Sequence, residues 1–390
     1  MTEIWAQAAL WLGLALLASL LSIWLRMATA LSEIVVGTVA QLLIGATLGE
    51  AILAGDATWI KFLSGAGAIL LTFLAGAELD PAVFRRKWKE ATGIGLVGFA
   101  APFVLCTVAA HWLLGWGTQQ SWLAGIAMST TSVAVVYAVM LEFGFNTTDY
   151  GKTVLAACFV NDLATVVALG LVFSPFTWKT LVFIVVGTAA FVILPWLTPR
   201  FFKRFGNRPS ELEAKFLMFC LFGLGALAGW AGSEAVLPAY LVGMVLAGTV
   251  GKDHVLVRRL RTLTLGLLTP FYFIRAGSLV SLPSLVAAPL GFVVLLLTKM
   301  VAKMAGVFPA TRFYRSPWRE GMYTTLLMST GLTFGTISAL FGLSHGIIDQ
   351  GQYSAVVAAV VGSAVVPTLI ANAFFLPRHL LRSADNDAPV

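Results

Sequence analysis

Long apolar runs separated by short polar joints organise the chain. A helix needs about 20 apolar residues to cross the hydrocarbon layer, and on that measure the pattern predicts thirteen membrane-spanning helices. They cover 5–26, 32–50, 57–79, 91–115, 120–142, 152–174, 178–199, 213–232, 234–250, 262–281, 285–308, 319–343 and 352–377. The eighth and ninth are nearly continuous, separated only at Gly232-Ser233-Glu234. The expected fold class is an all-α polytopic membrane protein.

Two spans carry a polar interruption. The fifth contains Met128-Ser129-Thr130-Thr131-Ser132, and the twelfth contains Met328-Ser329-Thr330-Gly331-Leu332-Thr333. Either stretch alone fits hydroxyls that bond to carbonyls one turn back. As a matched pair in the two halves of the chain they predict something else, two unwound helices lining a transporter-type binding site. With thirteen spans the fifth and twelfth run in opposite directions, as an inverted repeat requires.

Composition supports the membrane reading. Of 390 residues, 59% are hydrophobic and 11% charged, against about 25% charged in a soluble domain; the mean hydropathy is +0.90. The net charge of +7 does not signal nucleic acid, because the basic residues lie in short clusters between apolar runs. With the N-terminus outside and the C-terminus cytoplasmic, twenty Lys and Arg fall in inward joints and only Lys61 and Lys179 in outward ones, the bias expected of cytoplasmic loops. Glu3 before the first apolar run, with no basic stretch, predicts a retained span rather than a cleaved leader. After Arg382 a frayed tail is expected, with no attached regulatory domain. Cys106, Cys158 and Cys220 fall in apolar stretches without metal or redox spacing.

The remaining charges lie inside spans. Asp162, beside Asn161, sits near the middle of the sixth, where an ionisable group costs roughly 2.5–3.5 kcal/mol on insertion scales. A structural carboxyl, neutral or paired with lysine, is one reading. The stronger reading is a coupling site, because a proton and a bare Na⁺ or K⁺ can each offset the same buried charge. Asn161 cannot titrate and would orient the acid or cap a broken helix. Lys299 and Lys303, one turn apart in the eleventh span, share a face. Either could partner Asp162, and either could snorkel to the cytoplasmic surface; depth favours Lys299 as the buried one. Arg275 in the tenth span and Glu234 at the start of the ninth are expected to pair as a structural clamp or a gate. Glu78 and Asp80 close the third span, and Glu78 is a candidate for attracting cations at the inner mouth. His111, His254, His345 and His379 lie in joints or span ends without metal spacing, and no phosphate loop, nucleophile elbow or zinc motif occurs. No enzyme and no cofactor is expected.

Several stretches together resemble the monovalent cation:proton antiporter superfamily, most closely its bacterial second branch. They are Phe73 to Asp80, Ala127 to Ala134, Leu141-Glu142-Phe143-Gly144, Tyr150-Gly151, Phe159-Val160-Asn161-Asp162, Leu237 to Gly243, Pro270 to Gly277 and Ala302 to Val307. The resemblance implies a homodimer in the bacterial inner membrane, built on inverted repeats with two crossed discontinuous helices. It implies dimerisation helices at 1–84 and 210–283, transport-core helices at 85–176 and 284–380, a linker helix at 177–209 and a tail at 381–390. It favours Lys303 over Lys299 as the buried basic partner and places Thr130 and Ser132 near the ion. Electrogenic members carry two adjacent aspartates where this chain has Asn161-Asp162, and one carboxylate exchanging one cation for one proton moves no net charge. Electroneutral relatives, however, commonly have arginine where this chain has Lys303, and a proton lost from Lys303 on cation binding would make a second one carried. The expectation is an electroneutral antiporter exchanging Na⁺, or Li⁺ or K⁺, for protons in pH homeostasis, with Asp162 as the Na⁺ ligand. The alternatives are a K⁺/H⁺ exchanger, a sodium-coupled organic-anion symporter of the same fold, and a cation channel.

Overall fold

Each apolar run folds as helix, and the polar joints become turns. The computed structural model describes residues 2–25, 29–48, 53, 55, 57–77, 81–145, 148–173, 177–206, 208–233, 235–287 and 289–380. The α-helices are α1 Thr2–Leu25, α2 Thr29–Leu48, α3 Thr58–Ala77, α4 Pro81–Trp112, α5 Thr118–Ser129 and α6 Val133–Glu142. Then come α7 Asp149–Phe173, α8 Trp178–Phe205, α9 Leu212–Trp230, α10 Val236–Leu246, α11 His254–Leu263 and α12 Thr269–Ser278. The last are α13 Leu282–Ala287, α14 Leu290–Phe313, α15 Trp318–Met328, α16 Thr333–Ser344 and α17 Gln350–Ile370. Among the described residues nine helical stretches are long and apolar enough to cross a membrane, and the chain is a multi-pass membrane protein. The described part of each of the thirteen expected spans overlaps one or more of the seventeen α-helices; the fifth and twelfth are the broken pairs α5/α6 and α15/α16.

Three boundaries differ from expectation for identifiable reasons. α4 begins ten residues early, since Pro81 suits a first helical turn and the basic run Arg85–Lys89 is helical, with non-helical backbone at Lys87. α8 continues through Pro195 and Pro199 to Phe205. The tenth span is preceded by the charged helix α11, started by Asp253 accepting from the Val255 and Leu256 N–H groups at 3.2 and 3.0 Å. A π-turn over Thr264–Leu268 joins α11 to α12.

The chain divides into two compact units: Met1–Pro81 with Thr165–Pro289 and Thr336–Ala358, and Ala82–Ala164 with Leu290–Gly335 and Ala359–Val390. In the first unit, glycines let helix backbones touch. A side chain at Gly76 would strike the Tyr240 carbonyl, and one at Gly243 the Phe73 carbonyl, so α3 and α10 pack through reciprocal glycines. Gly37 against Ile274 and Gly277 against Ile34 do the same for α2 and α12. Trp11 stacks on Phe271 at 5.4 Å and donates to the Leu53 carbonyl at 2.9 Å. Outward-facing Leu181, Val185, Val192 and Trp196 give α8 an exposed apolar flank that suits lipid rather than water. In the second unit, α4 closes on α7 at Gly95, where a side chain would meet the Ala157 carbonyl and Val160. α14 meets α4 at Gly306, against Ala101 and Val97.

Candidate functional site

The second unit contains both helix breaks. α5 ends at Ser129, Thr130 is extended (φ −61°, ψ 152°), and α6 resumes at Val133. α15 ends at Met328 and α16 resumes at Thr333. The breaks satisfy each other. The Ser132 N–H donates to the Thr330 carbonyl at 2.9 Å, and Thr131 Oγ1 donates to the Met328 carbonyl at 2.9 Å. Unwound backbone thus persists away from water because its polar groups find partners at the crossing.

The four hydroxyls of the first break divide their work. Ser129 and Thr130 bond back to the Ile126 and Ala127 carbonyls at 2.7 and 3.0 Å, and Ser132 Oγ accepts the Val135 N–H at 3.4 Å, at the start of α6. Ser329 and Thr330 likewise bond back, to Thr325 and Leu327. Bonding one turn back is therefore real at these positions, and it coexists with the broken backbone. Thr131 turns the other way, across the crossing.

Asp162 and Asn161 lie inside unbroken α7, 1% and 0% exposed. The Thr131 backbone N–H lies beside the Asp162 carboxylate, while Asp162 Oδ1 makes no hydrogen bond. Asn161 donates to the Gly95 carbonyl at 3.4 Å. Lys299 and Lys303 are both wholly buried, so neither snorkels. Lys303 Nζ donates to the Ser129 carbonyl and to Thr131 Oγ1, each at 3.0 Å, placing a positive charge on the carbonyl end of α5, where a helix is negative. Lys299 Nζ donates to Ser363 Oγ at 3.1 Å. Both lysines are near enough for their charge to act on Asp162, and Thr131, whose hydroxyl accepts from Lys303, stands beside the acid.

Arg275, 7% exposed in α12, donates through Nε to the Gly55 carbonyl at 2.8 Å. Its expected partner Glu234 and the expected inner-mouth Glu78 lie outside the described residues. A cavity of about 190 Å³ opens between the N-terminal ends of α4, α7 and α15, lined among others by Glu90, Asp149, Tyr150, Glu320 and Thr324. Its acids are paired: Asp149 with Arg86, Glu90 with Lys87 at 3.0 Å and Glu320 with His379 at 2.8 Å. From Val154 on its wall to Asn161 is two turns of α7, about 10 Å, across the glycine contact at Gly95.

Sequence reasoning did not single out Thr131, Gly331 or Ser363 as site residues. Ser363 was detectable as a polar residue inside the run Val360 to Val366. Chemically, a buried carboxylate with one oxygen unbonded and two ammonium groups nearby can take up a proton or share its charge with a small cation, one excluding the other.

Comparison with known proteins gives a consistent result. The family model "Sodium/hydrogen exchanger, transmembrane" matches residues 12–376. The Na(+)/H(+) antiporter of Enterococcus hirae is 25% identical over 86% of this chain and 91% of its own length. Cation/H(+) antiporter 17 of Arabidopsis thaliana is 26% identical over 84% of this chain. The glutathione-regulated potassium-efflux system protein KefC of Shigella flexneri is 26% identical over 93%. This chain spans only 42% of the plant relative and 59% of the Shigella one. The structure of the sodium proton antiporter MjNhaP1 from Methanocaldococcus jannaschii superposes with a TM-score of 0.67 at 14% identity, covering 95% of this chain and 96% of that one. The likeness supports a common fold.

Proposed function

The chain belongs to the transmembrane sodium/hydrogen exchanger family, and within it we propose a secondary antiporter that exchanges a monovalent cation for protons by alternating access at Asp162. The observation that carries this reading is the Asp162 carboxylate: 1% exposed, beside Thr131 at a crossing of two broken helices, with Oδ1 unbonded. Burying such a group is costly. The cost is offset when a proton or a cation neutralises it, and because both use one carboxylate they take turns. Lys303 and the carbonyl end of α5 hold the break that presents the Thr131 N–H.

Na⁺ is the favoured cation, supported by the Enterococcus relative that this chain matches over nearly its whole length. The Shigella relative, named for potassium efflux, supports K⁺/H⁺ exchange as the second reading. Asn161-Asp162, with one carboxylate, supports electroneutral exchange, and the distribution of basic joints supports an inner membrane with the N-terminus outside and the C-terminus cytoplasmic. In this reading the unit carrying Asp162 is the transport core, and the other unit supplies the homodimer scaffold. Everted vesicles test the core of it. Asp162→Asn should abolish Na⁺-driven and K⁺-driven proton movement while the protein still reaches the membrane; undiminished movement removes Asp162 from the mechanism. In the unmodified protein, a response to K⁺ without one to Na⁺ establishes the second reading.

A further inference from the structure

The echo between the two broken spans extends into the helices beside them. At an offset of 200 residues, Met128 corresponds to Met328 and Thr131 to Gly331. Phe99 and Phe103 of α4 then correspond to Lys299 and Lys303 of α14, and Asp162 of α7 to Gly362 of α17, next to Ser363. The structure carries the same parallel. In the first half, a side chain of α7 meets the break at Thr131, where Asp162 lies beside the Thr131 backbone N–H. In the second half, a side chain of α17 meets the equivalent residue, with Ser363 Oγ 3.4 Å from the Gly331 carbonyl.

The two places differ in what fills them. The first has an acid with an unbonded oxygen. The second has a hydroxyl that already accepts an ammonium: Lys299 Nζ donates to Ser363 Oγ at 3.1 Å, and Ser363 passes its own hydrogen to the Val360 carbonyl at 2.8 Å. Lys299 and Ser363 are both wholly buried. The second break is shaped around the amine, since a Cβ at residue 331 would run into Lys299 Nζ and Thr130 Oγ1. That explains why glycine stands where the first break has Thr131. No amine occupies the matching positions of α4, where Phe99 and Phe103 stack at 5.4 Å.

We propose that the Lys299 ammonium is a tethered cation filling the repeat-related counterpart of the Asp162 position, with Ser363 as its ligand, so that each protomer offers one exchangeable cation position and not two. The identity of what visits Asp162 rests on the antiport reading; the occupancy of the second position does not, and it is tested by binding. The probe is n-propylammonium, which supplies the atoms lost in Lys299→Ala, with tetramethylammonium at equal ionic strength as the control. The readout is the apparent melting temperature of the purified full chain, because a ligand of the folded state raises it saturably.

Lys299→Ala should gain several degrees with n-propylammonium. The unmodified chain and Lys299→Met, whose side chain fills the space, should gain none. Lys299→Ala combined with Ser363→Ala should lose the gain. Where Lys299→Ala does not fold alone, recovery of folded protein when n-propylammonium is present throughout purification is the same expected result. No gain and no recovery, an equal gain in the unmodified chain, or a gain that survives Ser363→Ala would each overturn the proposal. The response should persist with Asp162→Asn, so its failure is separable from failure of the exchange reading.

Discussion

Thr131 joins the groups on which the site depends: it lies beside Asp162, its Oγ1 donates to the Met328 carbonyl, and the same oxygen accepts from Lys303. A hydrogen bond to a charged group contributes about 1.5–3 kcal/mol. Thr131→Ala should therefore lower cation-dependent proton exchange roughly tenfold or more, and Thr131→Ser should restore most of it. Equal activity of the alanine variant in reconstituted vesicles would mean that the backbone N–H alone orients the acid. Asp162 and the two lysines were legible in the sequence because a charge within an apolar run is conspicuous at any depth. The role of Thr131 was not, because four hydroxyls stand in a row from Ser129 to Ser132 and only the extended backbone decides which of them points across. Depth counted along the helix also misled for Lys303. α14 continues to Phe313, so the amine lies about 15 Å from the helix end, too far to reach the surface.

At the scale of elements, helix type follows apolar length, and close approach follows glycine. α3 and α10 touch backbone to backbone at Gly76 and Gly243, a contact that no larger residue permits. Gly243→Leu or Gly76→Leu should lower the apparent melting temperature by several degrees. Gly65→Leu, on the same helix α3 but with open space around its Cβ position, should change it little. A thermal-shift series on the three variants checks this, and equal effects at all three sites would show that the glycines act through helix propensity alone. The spans themselves, including the two broken ones, were readable from hydropathy and paired hydroxyl runs. α11 was not, because four of its ten residues are His or Arg, too polar for a membrane span, although its buried Leu256 and Leu260 stand one helical turn apart. The non-helical backbone at Lys87 and the π-turn over Thr264–Leu268 leave no trace in residue type.

Over the whole molecule, an all-helical membrane fold is built from two units, each assembled from separate stretches of chain. In the sequence, the charge distribution argues for the number and direction of crossings, because every added or missing span would invert the loops that follow it. Which stretches cluster into one unit is a matter of tertiary packing, and hydropathy alone carries no such information. The account of function turns on one carboxylate serving two positive particles, and mass action gives that a signature. A protonated Asp162 cannot hold a cation, so cation affinity must fall as pH falls, by up to about tenfold per pH unit where protons dominate. The maximal rate at saturating cation should be much less affected. Initial rates of Na⁺-driven proton movement in vesicles containing the purified chain, measured across Na⁺ concentrations from pH 6 to 9, test this directly. The account predicts an apparent KM that climbs steeply toward low pH. A KM that stays constant across that range would contradict it.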